Sequence, residues 1–317
     1  MRCNTRFLVG FVAGPTLLLT AHARSLGQPE ALISIPTFVL VVGTAILLAA
    51  ATLGVASARR WLHAAFVELP PSEAERRELA RVTDLLDRGA MLGAFAGMML
   101  GAVELFEVMR DPLEIGPPIH VLVMAPVYAA MFSAFVCLPL RHQLTAPRID
   151  ADHRSLSGIG IAALLCAIPL VTFYWPRMLG SYREFPIGDL GLLASLVVPT
   201  FLATPARGAA HGLRNPIADA LACAAVVGFG ANILHVGSVL DQPGIMLAGV
   251  AHAALIAAIA AFSSGVVRLT ATATDRVDTT SRHVRFAGVS IAAIAAALFV
   301  VYLVLDRVEF FQSETLR

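Results

Sequence analysis

Lysine is absent from this 317-residue chain, and all 23 basic residues are arginines. Charged residues make up only 14% of the sequence, whereas hydrophobic residues make up 57%. So little charge beside so much apolar sequence excludes an ordinary soluble domain of this length. Several apolar runs reach about 18 residues or more, the length that crosses a membrane. We therefore expect an all-α, polytopic membrane protein surrounded by lipid.

Motifs of enzymes and of metal sites are also missing. There is no Walker loop, no GxSxG, no HExxH and no Rossmann fingerprint. Four cysteines lie inside or beside apolar runs without any CxxC pair, namely Cys3, Cys137, Cys166 and Cys223. Four scattered histidines have no carboxylate or cysteine at ligand spacing, namely His120, His211, His252 and His283. We predict neither enzymatic activity nor a cofactor, a metal site or a nucleic-acid partner.

Hydropathy at about 20 residues per span predicts nine transmembrane helices. They are 7–23, 36–57, 89–109, 119–140, 157–175, 187–205, 217–240, 244–267 and 286–305. A cytoplasmic N-terminus puts 17 of the 23 arginines inside and 6 outside. The positive-inside rule favours that orientation. We expect a multi-pass protein of the bacterial inner membrane with its C-terminal tail outside.

The polar segment 58–88 is the longest one between predicted spans. Its second half, 72–88, predicts a cytoplasmic helix with Glu73–Arg77 and Asp84–Arg88 at the i,i+4 spacing of ion pairs. This helix is expected to continue unbroken into the apolar run that follows. Its charged surface suits either solvent or a cytoplasmic partner.

An internal repeat divides the chain into units. "GAVELFEVMRDPLEIGPPIHVLVMAPVYAAM" is echoed by "NILHVGSVLDQPGIMLAGVAHAALIAAI". Each unit holds four predicted helices, so both copies enter the membrane in the same orientation. The predicted divisions are a first unit at 1–145, a more divergent second unit at 146–272, and 273–317 with a cytoplasmic linker, the ninth span and a periplasmic tail.

The motif order of the first unit resembles MotA, the flagellar stator channel subunit of the MotA/TolQ/ExbB proton-channel superfamily. The order is an apolar hairpin, a glycine-rich third helix, "DPxxIGP", and a fourth helix with a "YAA" and a final "LPL". The second unit is similar to the same family through residues 218–243. The matching positions are Asp111, Pro112, Ile115, Gly116, Pro117, Tyr128, Leu138, Pro139 and Leu140.

The resemblance implies an oligomeric ring of subunits around a single-span partner of the MotB or ExbD kind. In that family, protons or sodium ions pass between ring and partner by way of an aspartate on the partner. An ion-motive force would then be coupled to a rotor or a periplasmic machine. Two alternatives stay open: a non-conducting scaffold that keeps this fold, and a small-solute transporter.

Glycines recur every fourth residue on the predicted third helix, at positions 89, 93, 97 and 101. Gly93, Gly97 and Gly101 therefore share a face, which suits either close helix packing or the wall of an ion path. Glu104 follows on this face, at a predicted depth where a carboxylate is costly in lipid. It is a candidate for an ion-path residue.

Asn232 and His235 lie three residues apart on the predicted seventh span. They share a face, where they are candidates either for an interhelical hydrogen bond or for a polar site at the midplane. The first interpretation favours a scaffold, and the second favours transport.

Overall fold

A computed structural model describes residues 4–25, 32–67, 72–108, 115–145, 195–199, 214–237 and 282–315, with six single positions between 253 and 264. The described secondary structure is entirely helical. The helices are α1 Thr5–Ser25, α2 Ile35–Leu53, α3 Val55–Phe66, α4 Glu73–Val108, α5 Gly116–Phe132, α6 Leu138–Thr145, α7 Arg214–Gly237 and α8 Arg282–Thr315. The prediction of an all-α protein is confirmed for this part of the chain.

Five of the described helices are long and apolar enough to cross a membrane. They are Ile35–Leu53, Glu73–Val108, Gly116–Thr145, Pro216–Leu234 and Arg282–Phe299, and a shorter apolar helix covers Phe7–Leu19. Each corresponds to one of the nine predicted spans. The predicted spans 157–175 and 244–267, and most of 187–205, lie outside the described residues. So does most of the predicted second unit, 146–272.

The second predicted span ends earlier than the sequence suggested. Gly54 has a φ of 82°, which L-residues other than glycine rarely adopt, so α2 stops at Leu53 rather than at residue 57. The separate helix α3 follows and buries Ser57 and Trp61. The Trp61 indole N–H donates to the Thr83 hydroxyl at 2.8 Å, which fastens α3 to α4.

Helix α4 runs without a break from Glu73 to Val108. The predicted continuation of the polar helix into the glycine run is therefore confirmed, as are the ion pairs Glu73–Arg77 at 3.1 Å and Asp84–Arg88 at 2.8 Å. Its polar half is not solvated all round, because Leu79, Val82, Thr83, Leu86 and Asp87 are buried.

The first two glycines of α4 lie against the backbone of α2. A Cβ atom on Gly89 would come within 2.6 Å of the Ala45 Cα, and one on Gly93 within 3.0 Å of the Val41 Cα. Moving up α4 by one turn thus means moving down α2 by one turn, so the two helices are antiparallel. Only glycine permits backbones this close.

The next two glycines lie against α5 instead. A Cβ on Gly97 would stand 2.6 Å from the Ala125 Cβ, and one on Gly101 would stand 2.6 Å from the Leu122 backbone nitrogen. These contacts also run in opposite directions along the two helices. The glycine stripe therefore seats α4 between α2 and α5 within a single chain.

Helices α5 and α6 form one rod of 30 residues, Gly116–Thr145, interrupted by a π-helical turn at Ser133–Cys137. Pro139 has no N–H to donate, and the Leu138 N–H bonds back five residues to the Ser133 carbonyl. Such π turns change the direction in which neighbouring side chains point, and they are frequent at functional sites. Here the turn presents Ser133 to α4.

Candidate functional site

A cluster of charged side chains lies inside the helical bundle, where α4, α6, α7 and α8 meet. Helix α4 contributes two carboxylates and α7 one, while α8 contributes an arginine and a histidine at its first two positions. We call this set the charge cluster. Its members are Asp84, Asp87, Ser133, Arg141, Asp219, Arg282 and His283.

The centre of the charge cluster is the pair Asp87 and His283. Their side chains are only 2% and 1% exposed, and the His283 Nε2 lies 3.1 Å from an Asp87 carboxylate oxygen. The other ring nitrogen, Nδ1, lies 3.6 Å from Asp219. The Ser133 hydroxyl donates a short hydrogen bond to the second Asp87 oxygen. One imidazole thus stands between two carboxylates from different helices.

Arg282 connects this centre to the rim of the cluster. Its guanidinium lies 2.8 Å from Asp87 and 2.5 Å from Asp84. Asp84 is 25% exposed and also pairs with Arg88 at 2.8 Å and with Arg141 at 3.7 Å. The outer part of the cluster is therefore neutralised by several arginines, whereas Asp87 pairs with Arg282 and His283.

The charge of the centre changes with one proton. The ring of His283 stands between the carboxylates of Asp87 and Asp219, so a proton on its second nitrogen would place a positive charge between two negative ones. Histidine is the side chain whose charge most readily changes near physiological pH. Two carboxylates at ion-pair distance favour the charged form of the ring, so the centre is expected to hold this proton at neutral pH and to release it when the charge balance around the ring changes.

The contacts of His283 are close but poorly aligned. Both ring nitrogens are buried at ion-pair distance, yet neither makes a hydrogen bond of good geometry. The Arg282 Nε and one of its terminal nitrogens share this property. Apart from the hydrogen bond from Ser133 to Asp87, ion-pair contacts hold the centre together.

Asp87 lies near the end of the bundle at which α2 finishes. Since Gly89 stands opposite Ala45 on the antiparallel α2, Asp87 is level with Leu47. Leu47 precedes the last residue of α2, Leu53, by six residues, which is about 9 Å of helix. The apolar run 134–140 continues past Ser133 towards that same end, because α5, like α2, is antiparallel to α4. Both apolar segments therefore extend past the carboxylate in the same direction.

Glu104, the carboxylate that sequence analysis favoured, occupies a different environment. It is exposed on the surface of α4, one turn before the last residue of that helix, Val108. By the same register it lies beyond the first residue of α2, Ile35, by about five residues. Glu104 is thus near the far end of the bundle, remote from the charge cluster.

The polar pair predicted on the seventh span is described only in part. Asn232 is buried on α7, and its side-chain amide donates to the Gly228 carbonyl within the same helix at 2.9 Å. The backbone of His235 is helical, but its side chain lies outside what the structure describes. The hydrogen bond of Asn232 is local rather than interhelical.

The positions of the MotA resemblance have separate structural roles. Tyr128 accepts a hydrogen bond from the Ser34 N–H and donates one to the Leu32 carbonyl at 2.9 Å, which ties the start of α2 to α5. Pro139 follows the π turn, and Gly116 and Pro117 open α5. Asp111 and Pro112 lie outside the described residues. None of the described positions of this motif belongs to the charge cluster.

Sequence analysis missed the centre of the cluster. His283 was set aside because no carboxylate stands near it in sequence, but α4 and α7 bring two carboxylates to it in space. A signal did exist: the inner ends of several predicted spans each carry a charged residue, at 87, 219 and 282. The sequence alone does not show that these ends converge.

Comparison with protein-family models, with curated proteins and with solved structures finds no match for this chain. Within the described ranges, no group of three or more His, Cys, Asp or Glu side chains has a geometry that could hold a metal ion.

Proposed function

We propose that this chain is an integral membrane protein that moves protons, with Asp87 and His283 as its proton-exchanging pair. The observation that carries the proposal is the burial of this pair among membrane-length helices. Ionisable groups inside a membrane protein are costly, and they commonly mark ion pathways or proton relays. An imidazole between two carboxylates can pass a proton by losing it on one side and regaining it on the other.

The resemblance to the MotA/TolQ/ExbB superfamily supports the same class of function. Under this proposal the chain has nine spans in two parallel four-helix units and a ninth helix, with its N-terminus in the cytoplasm of a bacterial cell. It would assemble into an oligomer and couple proton flow to a single-span partner of the MotB or ExbD kind. The proton-exchanging pair, however, would belong to this chain rather than to the partner.

One observation favours a second candidate, a non-conducting scaffold. The carboxylates Asp84 and Asp87 and the base His283 all have an opposite charge within ion-pair distance. Such a set can hold α4 to α8 without any proton movement. The tight glycine contacts of α4 suit a rigid scaffold equally well.

Proton flux into vesicles separates the two candidates. The purified chain, with and without a co-expressed single-span partner, would be reconstituted into liposomes containing a pH-sensitive dye. A potassium gradient with valinomycin would supply the driving voltage. We expect dye-reported flux from the native chain in at least one of these preparations, and flux at the level of empty liposomes from Asp87→Asn.

Glu104→Gln is the matched control, because it also neutralises a carboxylate on α4 but lies at the exposed far end. It should keep the native flux. Because Asp87→Asn removes a buried ion-pair partner of His283, its thermal unfolding curve is recorded to show that the variant is folded. His283→Gln is measured beside it as a second variant of the pair. Flux that survives both Asp87→Asn and His283→Gln would refute the proposed pair. No flux from any preparation would support the scaffold.

A further inference from the structure

Three arginines from three helices converge on the carboxylate of Asp84, at the rim of the charge cluster. Arg282 of α8 lies 2.5 Å from it, Arg88 of α4 lies 2.8 Å away and Arg141 of α6 lies 3.7 Å away. Arg282 is shared with Asp87. Even when Arg282 is assigned to Asp87, two arginines remain for one carboxylate. The rim formed by Asp84, Arg88 and Arg141 therefore has one more positive than negative charge.

Arg88 and Arg141 are the outward-facing members of this group. Their side chains are 63% and 44% exposed, against 26% for Arg282. Among the described residues, neither has a second carboxylate partner. A guanidinium has five N–H donors, and one shared carboxylate does not use all the donors of two such groups. Both side chains therefore keep donors for an anion outside the bundle.

The rim lies close to the end of the apolar length of the bundle. The Arg88 guanidinium reaches back four residues to Asp84, which is level with Ala50 on α2 by the register of the glycine contacts. Ala50 precedes the last residue of α2, Leu53, by three residues, or about 5 Å of helix. In a bilayer the polar headgroups begin where a spanning helix ends, and long arginine side chains extend to them. The two exposed guanidinium groups therefore lie at headgroup level.

An exposed apolar strip begins directly beyond Arg88 on the same face of α4. Leu92, Phe95, Met99 and Val103 follow Arg88 at spacings of four, three, four and four residues, and all four are exposed. Those spacings keep the side chains on one face of a helix, over about 22 Å from Arg88 to Val103. A phospholipid has the same order of groups, because its charged phosphate is followed by hydrocarbon chains.

Helix α8 extends this apolar surface sideways. Val289 follows Arg282 by seven residues, so it lies on the same side of α8, and it is exposed. The rings of Phe286 on α8 and Phe95 on α4 meet edge to face, with centroids 5.8 Å apart. The surface where α4 and α8 meet is therefore apolar beyond the arginines.

We propose that this surface binds an anionic phospholipid, with the phosphate on Arg88 and Arg141 and an acyl chain along the strip from Leu92 to Val103. Charge complementarity selects the anionic lipid, since basic sites between membrane helices attract anionic headgroups. Arginine suits a phosphate because its planar fork donates two parallel hydrogen bonds. In this site the phosphate competes with Asp84 for the same donors. The lipid site is separate from the Asp87–His283 pair and does not depend on proton movement.

Native mass spectrometry of the purified full-length chain measures this binding. The protein in detergent micelles would be titrated with dioleoyl phosphatidylglycerol, which is anionic. A parallel titration would use dioleoyl phosphatidylcholine, which is zwitterionic and has the same acyl chains. We expect the first phosphatidylglycerol to bind with a Kd at least about tenfold lower than that of phosphatidylcholine. Equal Kd values for the two lipids would refute the site.

Arginine variants locate the preference on the rim. Arg88→Gln combined with Arg141→Gln should reduce the ratio of the two Kd values to about twofold or less, because both phosphate ligands are removed. Arg282 still neutralises Asp84 in this variant, and a thermal unfolding curve confirms that it is folded. Arg77→Gln is the matched control, since it removes an exposed arginine from the polar half of α4 and should keep the native ratio. A preference that survives the double substitution, or one that Arg77→Gln also abolishes, would overturn the proposal.

Asp84→Asn should change the binding in the opposite direction. It removes the carboxylate that competes for both guanidinium groups, so phosphatidylglycerol should bind severalfold more tightly than to the native chain. Damage to the fold would weaken binding instead, and an unchanged or weaker affinity would count against the site. A millimolar excess of inorganic phosphate should leave the lipid bound, because the apolar strip holds the acyl chain. Displacement of the lipid by phosphate would show a site for a free anion and contradict the proposal.

Discussion

Replacing Gly101 by alanine should force α4 and α5 apart. The new Cβ would lie 2.6 Å from the Leu122 backbone nitrogen and 2.9 Å from its Cα. Favourable contacts between such atoms begin at about 3.5 Å, so the helices must separate by about 1 Å at this level. Backbone atoms cannot rotate away as a flexible side chain can. Overpacking of this kind costs about 1–3 kcal/mol.

Gly43→Ala on α2 is the matched control. No atom lies within 4 Å of the position that its Cβ would occupy. Because alanine favours a helix over glycine by about 0.5–1 kcal/mol, this variant should be as stable as the native chain or more stable. Both substitutions gain the same helix propensity, so the two variants should differ in free energy of unfolding by the overpacking cost alone, about 1–3 kcal/mol.

The assay is reversible unfolding in mixed micelles, with the denaturing detergent titrated and helix content followed by circular dichroism. We expect Gly101→Ala to unfold at a lower fraction of denaturing detergent and Gly43→Ala at the native fraction or above. Equal shifts in the same direction would show that α4 and α5 do not approach each other at Gly101, and the described packing would be incorrect.

Three further predictions concern the cluster, the loop before α2 and the topology. Arg282→Gln should cost about 1–3 kcal/mol in unfolding free energy because it removes one of the opposite charges beside the buried Asp87, whereas Arg77→Gln, on an exposed pair, should cost less than about 1 kcal/mol. Tyr128→Phe should cost about 1–3 kcal/mol in the same assay, since it removes the hydroxyl that bonds both backbone groups before α2; a native unfolding curve would contradict that role. A reporter fused after Arg317 should behave as periplasmic and one fused after Arg276 as cytoplasmic, and cytoplasmic behaviour of both would remove the ninth span or the orientation.

Local features of the fold were predictable from the sequence. The i,i+4 ion pair Glu73–Arg77 and the unbroken helix that becomes α4 depend on residues close together in the chain, and the structure contains both. The glycine spacing predicted a close approach by another helix. It did not reveal that α2 and α5 share the stripe, because the identity of a packing partner is not encoded in the spacing.

The candidate site was not predictable in the same way. Asp87 and His283 are separated by most of the chain, and each alone is typical of an ordinary charge at the end of a span. Only the convergence of α4, α7 and α8 turns them into a buried pair. Glu104 was a candidate because it lies within the apolar run of one helix. Hydropathy along that helix does not show where the neighbouring helix α2 begins, and Glu104 lies beyond that point.

Infrared difference spectroscopy on the protein in lipid tests proton exchange at the buried pair most directly. Spectra recorded between neutral and alkaline buffer report imidazole groups that lose a proton, because the two carboxylates beside His283 favour its charged form at neutral pH. We predict an imidazole difference band that is lost in His283→Gln, moves to lower pH in Asp87→Asn and is unchanged in Glu104→Gln. Difference bands that are identical in the native chain and in Asp87→Asn would contradict proton exchange between Asp87 and His283.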